Sequence, residues 1–245
     1  MEEKRMIEGR RPVMEALLAR TEITCILLQK GSQGKPVEDI LALAKEYNVK
    51  VEFWDKALLD KRASTRNHQG VMAETRPFRY TPFADIFAKA GEQPPFLVVL
   101  DHIQDPHNLG ALIRTAYAAG CDGIIIPERR AAQMTPAAVR TAAGAAEYLP
   151  VAQVVNLARC LDECKDAGLW VYGADMDGES VYTTGDYKSG TVLVIGSEGE
   201  GLARLIKEKC DHLVQLPMRG KVASLNASVA GALLMYEVYR QREGF

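Results

Sequence analysis

The chain has 245 residues, of which 47% are hydrophobic and 25% are charged, as expected for a globular protein that can bury a substantial core. No apolar stretch approaches the roughly 20 residues that a membrane helix needs. The charged first residues also do not match a secretory signal peptide. The sequence therefore argues against membrane-spanning helices and predicts a cytoplasmic protein.

The formal net charge of −2 gives the whole chain no general attraction for nucleic acid. The charge is distributed unevenly, because residues 1–79 carry 15 Lys and Arg against 12 Asp and Glu, whereas the rest carries 15 against 20. Any phosphate contacts should therefore concentrate in the N-terminal part. A solvated surface explains so small an imbalance about as well.

Residues 1–76 predict a small α/β domain. Apolar runs indicate strands at residues 23–28, 49–53 and 68–73, and helical patterns cover residues 37–47 and begin again near residue 56. Residues 77–95 then collect four prolines and a glycine around a short apolar helix that starts at residue 83. This composition is typical of a linker.

From residue 96 to residue 245, strands and helices alternate regularly. The predicted strands are residues 96–100, 123–126, 169–174, 191–195 and 212–216. The predicted helices are residues 109–119, 136–143, 157–167, 202–209 and 225–242. Because the strands are nearly continuous hydrophobic runs, they predict a parallel sheet with helices on both faces, and hence an α/β fold.

Cysteine and histidine spacing gives no indication of a metal site. Cys160 and Cys164 lie one helical turn apart, but no second Cys or His pair completes a set of four zinc ligands. We therefore expect the five cysteines to be buried free thiols and the protein to bind no metal. No Ser-His-Asp or Cys-His order is evident either, so hydrolases have little support.

Three polar, glycine-containing turns stand out in the second domain, at residues 104–110, 196–201 and 216–226. Each follows an apolar run and precedes a helical pattern. The carboxyl ends of parallel strands form one edge of an open α/β sheet, and ligands bind at that edge. We therefore expect the three turns to form an active site.

The first turn contains Asn108 and leads to Arg114. These residues are six positions apart, so on one α-helix their side chains would point about 120° apart. They can reach one ligand only if Asn108 lies ahead of the helix, which Pro106 favours by restricting the residue before it. Gly110 would then leave space beside the guanidinium. The alternative is an N-capping Asn108 with a surface Arg114.

The second turn, residues 196–201, lacks the glycine order of a dinucleotide site and the Lys-Ser/Thr of a phosphate loop. Its two carboxylates would repel a pyrophosphate, so it suits a neutral or cationic ligand better. A tight strand-to-helix turn would use the same glycines. In the third turn, Ser224 is predicted to cap the last helix. That helix begins with small residues, which permit close packing against either the core or a second subunit.

Together and in this order, the three turns resemble the motifs of the SpoU-type, TrmH-like RNA ribose 2′-O-methyltransferases of the SPOUT superfamily. The first motif is matched by Asp105, Pro106, Asn108, Gly110 and Arg114, the second by Gly196, Ser197, Glu198, Gly199 and Gly201, and the third by Leu216, Pro217, Met218, Ser224, Leu225 and Asn226. Residues 9–13 and 68–71 resemble the small, L30e-like substrate-binding domain of the branch that methylates a guanosine of 23S ribosomal RNA.

The resemblance implies a C-terminal trefoil knot, a homodimer with the last helix at its interface, and S-adenosylmethionine as cofactor. It implies cofactor binding by Gly196, Glu198, Gly201, Leu216, Met218, Ser224, Leu225 and Asn226. It implies catalytic roles for Arg114, Asn108, Glu198, Ser224 and Asn226. A guanidinium keeps its proton in proteins, so we expect Arg114 to bind the target phosphate while Glu198 or water receives the proton.

Two other functions stay open at this point. One is ribose 2′-O-methylation of transfer RNA by the same residues, and the other is a dimeric RNA-binding module of the same fold without catalysis. The mild positive charge of the N-terminal domain favours a larger structured substrate such as ribosomal RNA.

Overall fold

The computed structural model describes residues 5–18, 20–63, 67–76, 78–89, 93–178, 180–219 and 224–244. The chain divides into two compact units, Met1–Arg79 and Tyr80–Phe245. None of the described helices is long and apolar enough to span a bilayer.

The first unit is a four-stranded sheet with helices packed on it. Its strands are β1 (Arg5–Glu8), β2 (Ile23–Gln29), β3 (Val51–Trp54) and β4 (Val71–Thr75). Its helices are α1 (Arg10–Leu18), α2 (Lys35–Glu46) and α3 (Lys56–Arg62). The strand order is β1-β4-β2-β3, with β4 antiparallel to both neighbours and β2 parallel to β3. Val13 of α1 and Ile40 of α2 are buried in one cluster with residues of β2 and β4.

The second unit contains a seven-stranded sheet. Its strands are β5 (Phe96–Leu100), β6 (Gly123–Pro127), β7 (Val151–Val154), β8 (Trp170–Ala174), β9 (Ser180–Val181), β10 (Thr191–Ile195) and β11 (His212–Gln215). Its helices are α4 (Phe83–Lys89), α5 (Pro106–Ala118), α6 (Pro136–Thr141), α7 (Leu157–Asp166), α8 (Arg204–Lys209) and α9 (Ala227–Glu243).

Every described strand pair in this sheet is parallel, in the order β7-β6-β5-β10-β8-β11-β9. Helices α4, α7 and α8 contribute Ile86, Leu161 and Ile206 to a buried cluster with alternate residues of the central strands. On the other face, α9 packs against α5 and β10. The predicted parallel sheet with helices on both faces is therefore confirmed.

The direction of strand addition reverses between β5 and β10. From β5 the chain builds outward through β6 to β7, and it later returns to place β10 on the other side of β5. Such a reversal opens a crevice at the carboxyl ends of the strands, where open α/β sheets bind ligands.

Residues 77–95 were predicted to form a linker around a short apolar helix. The described residues from Tyr80 onward belong to the second unit. The expected short helix is present as α4, and its Ile86 is fully buried against the sheet. The prolines of this region therefore surround a helix that packs against the sheet of the second unit. Pro77 and Gly91 lie outside the described residues.

Candidate active site

The first turn differs from its prediction, because Asn108 lies inside α5 and not ahead of it. Asp105 is the extended N-cap, and its side chain accepts a 2.8 Å hydrogen bond from the backbone of His107. Pro106 occupies the start of the helix, where the missing N–H costs nothing. Asn108 is therefore in the first turn of the helix and is buried.

The second turn, residues 196–201, closes on itself. The backbones of Ser197 and Gly201 exchange two hydrogen bonds, of 3.1 and 3.0 Å. A Cβ on Gly196 would lie 2.3 Å from the carbonyl carbon of Gly201, so only glycine permits this approach. Gly199 has a φ of +87°, which favours glycine in the same way. The turn carries Glu198 at its exposed tip.

The third turn caps α9 with Asn226 and not with Ser224. The Asn226 side chain accepts a 2.9 Å hydrogen bond from the backbone of Ser228. Serine and asparagine are comparable caps, so the sequence alone does not choose between them. Ser224 lies two residues earlier in the loop, and residues 220–223 lie outside the described part of the chain.

The three turns meet through side-chain hydrogen bonds. Asn108 Nδ2 donates to Glu198 Oε1 over 2.7 Å, and Asn226 Nδ2 donates to Asn108 Oδ1 over 3.1 Å and also to Glu198 Oε1. The backbone of Ala227 at the start of α9 donates a further hydrogen bond of 3.3 Å to Glu198 Oε1. Glu198 Oε1 therefore accepts hydrogen bonds from three residues, Asn108, Asn226 and Ala227.

A cavity of about 250 Å³ opens beside this cluster, somewhat smaller than the roughly 300–1,000 Å³ common for small-molecule sites. Seven of the eight residues predicted to bind a cofactor line it: Gly196, Glu198, Gly201, Leu216, Met218, Ser224 and Leu225. Asn226 does not line the cavity, but it contacts the lining residue Glu198. Ile195, Val214 and Ala230 add apolar surface.

Sequence reasoning missed one wall of this cavity. Asp175 follows β8, its side chain is only 5% exposed, and Oδ2 forms a 2.5 Å ion pair with Lys207 Nζ of α8. Both residues line the cavity. The signal available was the position of Asp175 directly after a buried parallel strand, which is the same position that identified the three turns.

The described lining carries more negative than positive charge. It contains the carboxylates of Asp175, Asp177, Glu198 and Glu200, and Lys207 is the one cation among the described lining residues. This balance suits a ligand with a cationic centre, as expected from the glycine-rich turn. Among the described residues, no three His, Cys, Asp or Glu side chains come together to hold a metal ion.

Arg114 is not brought into the cavity or into the hydrogen-bonded cluster. It is exposed on α5, three residues before Tyr117, and it does not line the cavity. The space expected beside it at Gly110 is filled, because a Cβ there would lie 2.4 Å from the Ala138 carbonyl oxygen of α6. Gly110 therefore permits close packing of α5 on α6.

Comparison with known families and proteins gives a consistent result. The model of the SpoU rRNA Methylase family matches residues 95–236, and that of the RNA 2′-O ribose methyltransferase substrate binding domain matches residues 6–81. YacO of Bacillus subtilis (strain 168), assigned to the TrmH family of tRNA/rRNA methyltransferases, is 42% identical over 236 residues, 96% of this chain and 94% of YacO. A protein of Staphylococcus aureus (strain COL) assigned to the same family is 42% identical over 242 residues, 98% and 97% of the two chains.

Two solved structures are similar over nearly the whole chain. The SpoU methyltransferase AviRb from Streptomyces viridochromogenes, in complex with the cofactor AdoMet, has a TM-score of 0.66 at 25% identity and covers 98% of this chain and 91% of AviRb. The AdoMet-bound rRNA methyltransferase from Sinorhizobium meliloti has a TM-score of 0.64 at 29% identity, covering 97% and 87%. With a family model matching more than half of its length and relatives aligned almost end to end, the protein belongs to the SpoU/TrmH family of methyltransferases.

Proposed function

We propose that the protein transfers the methyl group of S-adenosylmethionine to a ribose 2′-hydroxyl of RNA. The observation that carries this proposal is the cluster of Asn108, Glu198 and Asn226, which joins three separate turns beside one cavity. Family membership supports the methyl transfer, and the AdoMet complexes of the similar structures support the cofactor.

The cavity fits the cofactor in its chemistry. Leu216, Leu225 and Ile195 offer apolar contact to an adenine ring, and the glycine-rich turn offers backbone amides. The surplus of carboxylates favours a sulfonium cation over an anionic nucleotide. When bound, the cofactor supplies a methyl group on a positively charged sulfur, which is the electrophile of the reaction.

The chain's own residues align the reactants and handle the proton. The ribose 2′-oxygen would give up its proton and form the bond to the methyl carbon as the bond from that carbon to sulfur breaks, with S-adenosylhomocysteine as the leaving group. Alignment of oxygen, carbon and sulfur would lower the barrier. Asn108 and Asn226 fix Glu198 through its Oε1 atom. Within the described part of the chain, the hydrogen bonds to the Glu198 carboxylate are accepted by Oε1. Glu198 Oε2 or a water molecule receives the proton, and Arg114 binds the target phosphate.

Ribosomal RNA is the proposed substrate, with a guanosine of 23S ribosomal RNA as the target suggested by the sequence resemblance. A two-unit chain with a substrate-binding unit at its N-terminus supports a large structured RNA. Transfer RNA is the alternative, since the relatives are assigned to a family named for both RNAs. A non-catalytic RNA-binding module is disfavoured by the intact Asn108–Glu198–Asn226 cluster.

We also propose a homodimer that uses the exposed face of α9. Val229, Leu233 and Tyr236 lie at positions i, i+4 and i+7 of one face, and each is between 42% and 49% exposed. Two of the small residues of α9, Ala227 and Gly231, are buried inside the second unit. A Cβ on Gly231 would lie 2.5 Å from Leu112 of α5. The opposite, apolar face is the one available to a second subunit.

The trefoil knot and the cytoplasmic location are part of the same proposal. The knot is supported by the family resemblance and by the return of the chain to the glycine-rich turn, where Asn226 contacts Glu198. The cytoplasm is where a ribosomal or transfer RNA substrate would be available.

Methyl transfer to defined RNAs tests the proposed function. The purified protein would be incubated with methyl-labelled S-adenosylmethionine and either 23S ribosomal RNA or transfer RNA, and 2′-O-methylated positions mapped by their resistance to alkaline cleavage. We expect one ribose of 23S ribosomal RNA to be labelled. Label on transfer RNA alone would select the alternative substrate, and label on a base would contradict ribose methylation.

Removal of the first unit tests the source of RNA affinity. We expect a chain that lacks residues 1–76 to keep its affinity for S-adenosylmethionine and to lose affinity for ribosomal RNA. RNA binding at the level of the full chain would argue against a substrate-binding role for this unit.

A further inference from the structure

Both ends of the glycine-rich turn, residues 196–201, are attached to Asp101. This residue directly follows β5 and is fully buried. Its backbone N–H donates a 2.8 Å hydrogen bond to the carbonyl of Ile195, just before the turn. Its carboxylate oxygen Oδ2 accepts a 2.7 Å hydrogen bond from the backbone of Ala203, just after the turn. Asp101, directly after β5, is therefore hydrogen-bonded to the chain on both sides of a turn that lies about 100 residues further along the sequence.

The second carboxylate oxygen of Asp101 is occupied by His102. The imidazole Nδ1 lies within hydrogen-bonding distance of Oδ1. His102 adopts a left-handed φ of +56°, which is unfavourable for a residue other than glycine. A buried polar side chain is costly unless its oxygens are hydrogen-bonded, and both oxygens of Asp101 have hydrogen-bonding partners.

The turn is rigid enough that a displacement of either end should also move Glu198 at its tip. The paired backbones of Ser197 and Gly201 and the contact of Gly196 with Gly201 leave the turn little internal freedom. A shift at Ala203 would therefore displace the cavity wall at Gly201 and the carboxylate of Glu198. The hydrogen bond of Asp101 thus acts on the cofactor cavity, although Asp101 itself does not line the described cavity.

We infer that Asp101, supported by His102, is a positioning residue that holds the glycine-rich turn in the geometry required for cofactor binding. This inference rests on the proposed function, because it concerns the same cavity. Asp101 acts through the backbone of the turn and not by contact with the reacting atoms.

Calorimetric binding of S-adenosylhomocysteine to full-length variants tests the inference. Loss of the hydrogen bond in Asp101→Ala should raise Kd by about tenfold or more. Asp101→Asn keeps an oxygen that can accept from Ala203, so it should bind within about threefold of the wild type. Rescue by asparagine separates positioning from a need for negative charge.

Ala203→Pro breaks the same hydrogen bond from the other side. Ala203 is exposed and has a φ of −59°, which proline adopts, but proline has no N–H to donate. We expect its Kd to rise by about tenfold as well, and the double variant to be little weaker than either single one. If Asp101→Ala does not unfold cooperatively, Ala203→Pro decides the question.

Asp122→Ala is the matched control. The carboxylate of Asp122 accepts a 2.7 Å hydrogen bond from Phe96 at the opposite end of β5. Its loss should lower Tm but leave Kd unchanged. Wild-type Kd in Asp101→Ala and Ala203→Pro, measured below their Tm, would overturn the inference while the proposed function stands. No binding by the wild-type chain would overturn the proposed function and the inference with it.

Discussion

The side-chain amide of Asn108 donates a 2.7 Å hydrogen bond to Oε1 of Glu198, which lies 90 residues further along the chain. The hydrogen bonds around it form a series in which each donor points toward Glu198. Ser228 donates to Asn226 Oδ1, Asn226 donates to Asn108 Oδ1, and both asparagines donate to Glu198. The series ends at Oε1 of Glu198, which accepts from both asparagines.

Replacement of Asn108 by aspartate should remove the hydrogen bond that Asn108 donates to Glu198. Aspartate has nearly the same shape, but an ionised aspartate cannot donate the hydrogen bond to Glu198 and places a second carboxylate beside it. We expect turnover in the RNA methylation assay to fall by about tenfold or more. Asn156→Asp is the control, because Asn156 accepts from the backbone of Arg159 as the N-cap of α7 and aspartate caps equally well. Equal turnover in both variants would contradict the role of Asn108.

Replacement of Arg114 by lysine should separate catalysis from cofactor binding. Lysine keeps the positive charge but loses the fork geometry that binds a phosphate with two parallel hydrogen bonds. Because Arg114 does not line the described cavity, calorimetry should give a Kd for S-adenosylmethionine near that of the wild type. Turnover should fall by about tenfold or more. Arg159→Lys, an exposed arginine of α7, should change neither quantity. Full turnover in Arg114→Lys would remove Arg114 from the mechanism.

Replacement of Leu233 by lysine should dissociate the proposed dimer. A charge at the centre of an apolar interface face loses contact area and desolvates without a partner. We expect light scattering after size-exclusion chromatography to give a dimer for the wild type and a monomer for the variant. Leu205→Lys, at a leucine of α8 that is 54% exposed against 42% for Leu233, should leave the mass unchanged. A wild-type monomer at micromolar concentration would contradict the dimer.

Replacement of Glu237 by glutamine should destabilise the protein only above acidic pH. Glu237 is 6% exposed in α9 and accepts hydrogen bonds from Arg240 and Gln241. The hydrogen bonds from Arg240 outweigh the opposite effect of burial and hold the pKa of Glu237 below its ordinary value. A lowered carboxyl pKa stabilises the fold above the unfolded pKa of about 4.3, and this contribution is lost as the pH falls through the folded pKa.

The expected signature is a pH-dependent difference in Tm. At pH 7 the Glu237→Gln variant should melt about 2–4 °C below the wild type, as for a loss of about 1 kcal/mol, and the two curves should converge below about pH 4. Glu243→Gln, an exposed carboxyl of the same helix, serves as control and should follow the wild type at every pH. A constant Tm difference across this range would rule out the ionised state of Glu237 as its source.

The sequence predicted which turns meet, but not how their residues are arranged. Uninterrupted apolar strands identify a parallel sheet, and the edge of that sheet follows from chain direction alone. Asn108 was misplaced because a proline favours both an extended residue before it and a helix start at its own position. The cap of α9 was assigned to Ser224 and lies at Asn226, because local chemistry accepts either residue.

The sequence was least informative about residues whose surroundings come from elements far away in the chain. Gly110 is consistent with open space or with a close helix contact, and only the position of α6 decides between them. The Asp175–Lys207 pair joins the end of β8 to α8, and nothing in either local sequence indicates the other partner. The state of the five cysteines was easier to predict, because their apolar sequence surroundings already indicate burial. Four are buried free thiols, and Cys210 is a half-buried one.

The central place of β10 has a consequence for synthesis of the protein. β10 lies between β5 and β8, with Thr191 in register with Phe96 on one side and with Trp170 on the other. The two earlier strands therefore do not pair with each other. Until residue 195 leaves the ribosome, the nascent chain holds two apolar strands with unsatisfied backbone edges, and such edges attract foreign chains. We therefore expect slow maturation after translation, with the early intermediate as the species most in need of a chaperone.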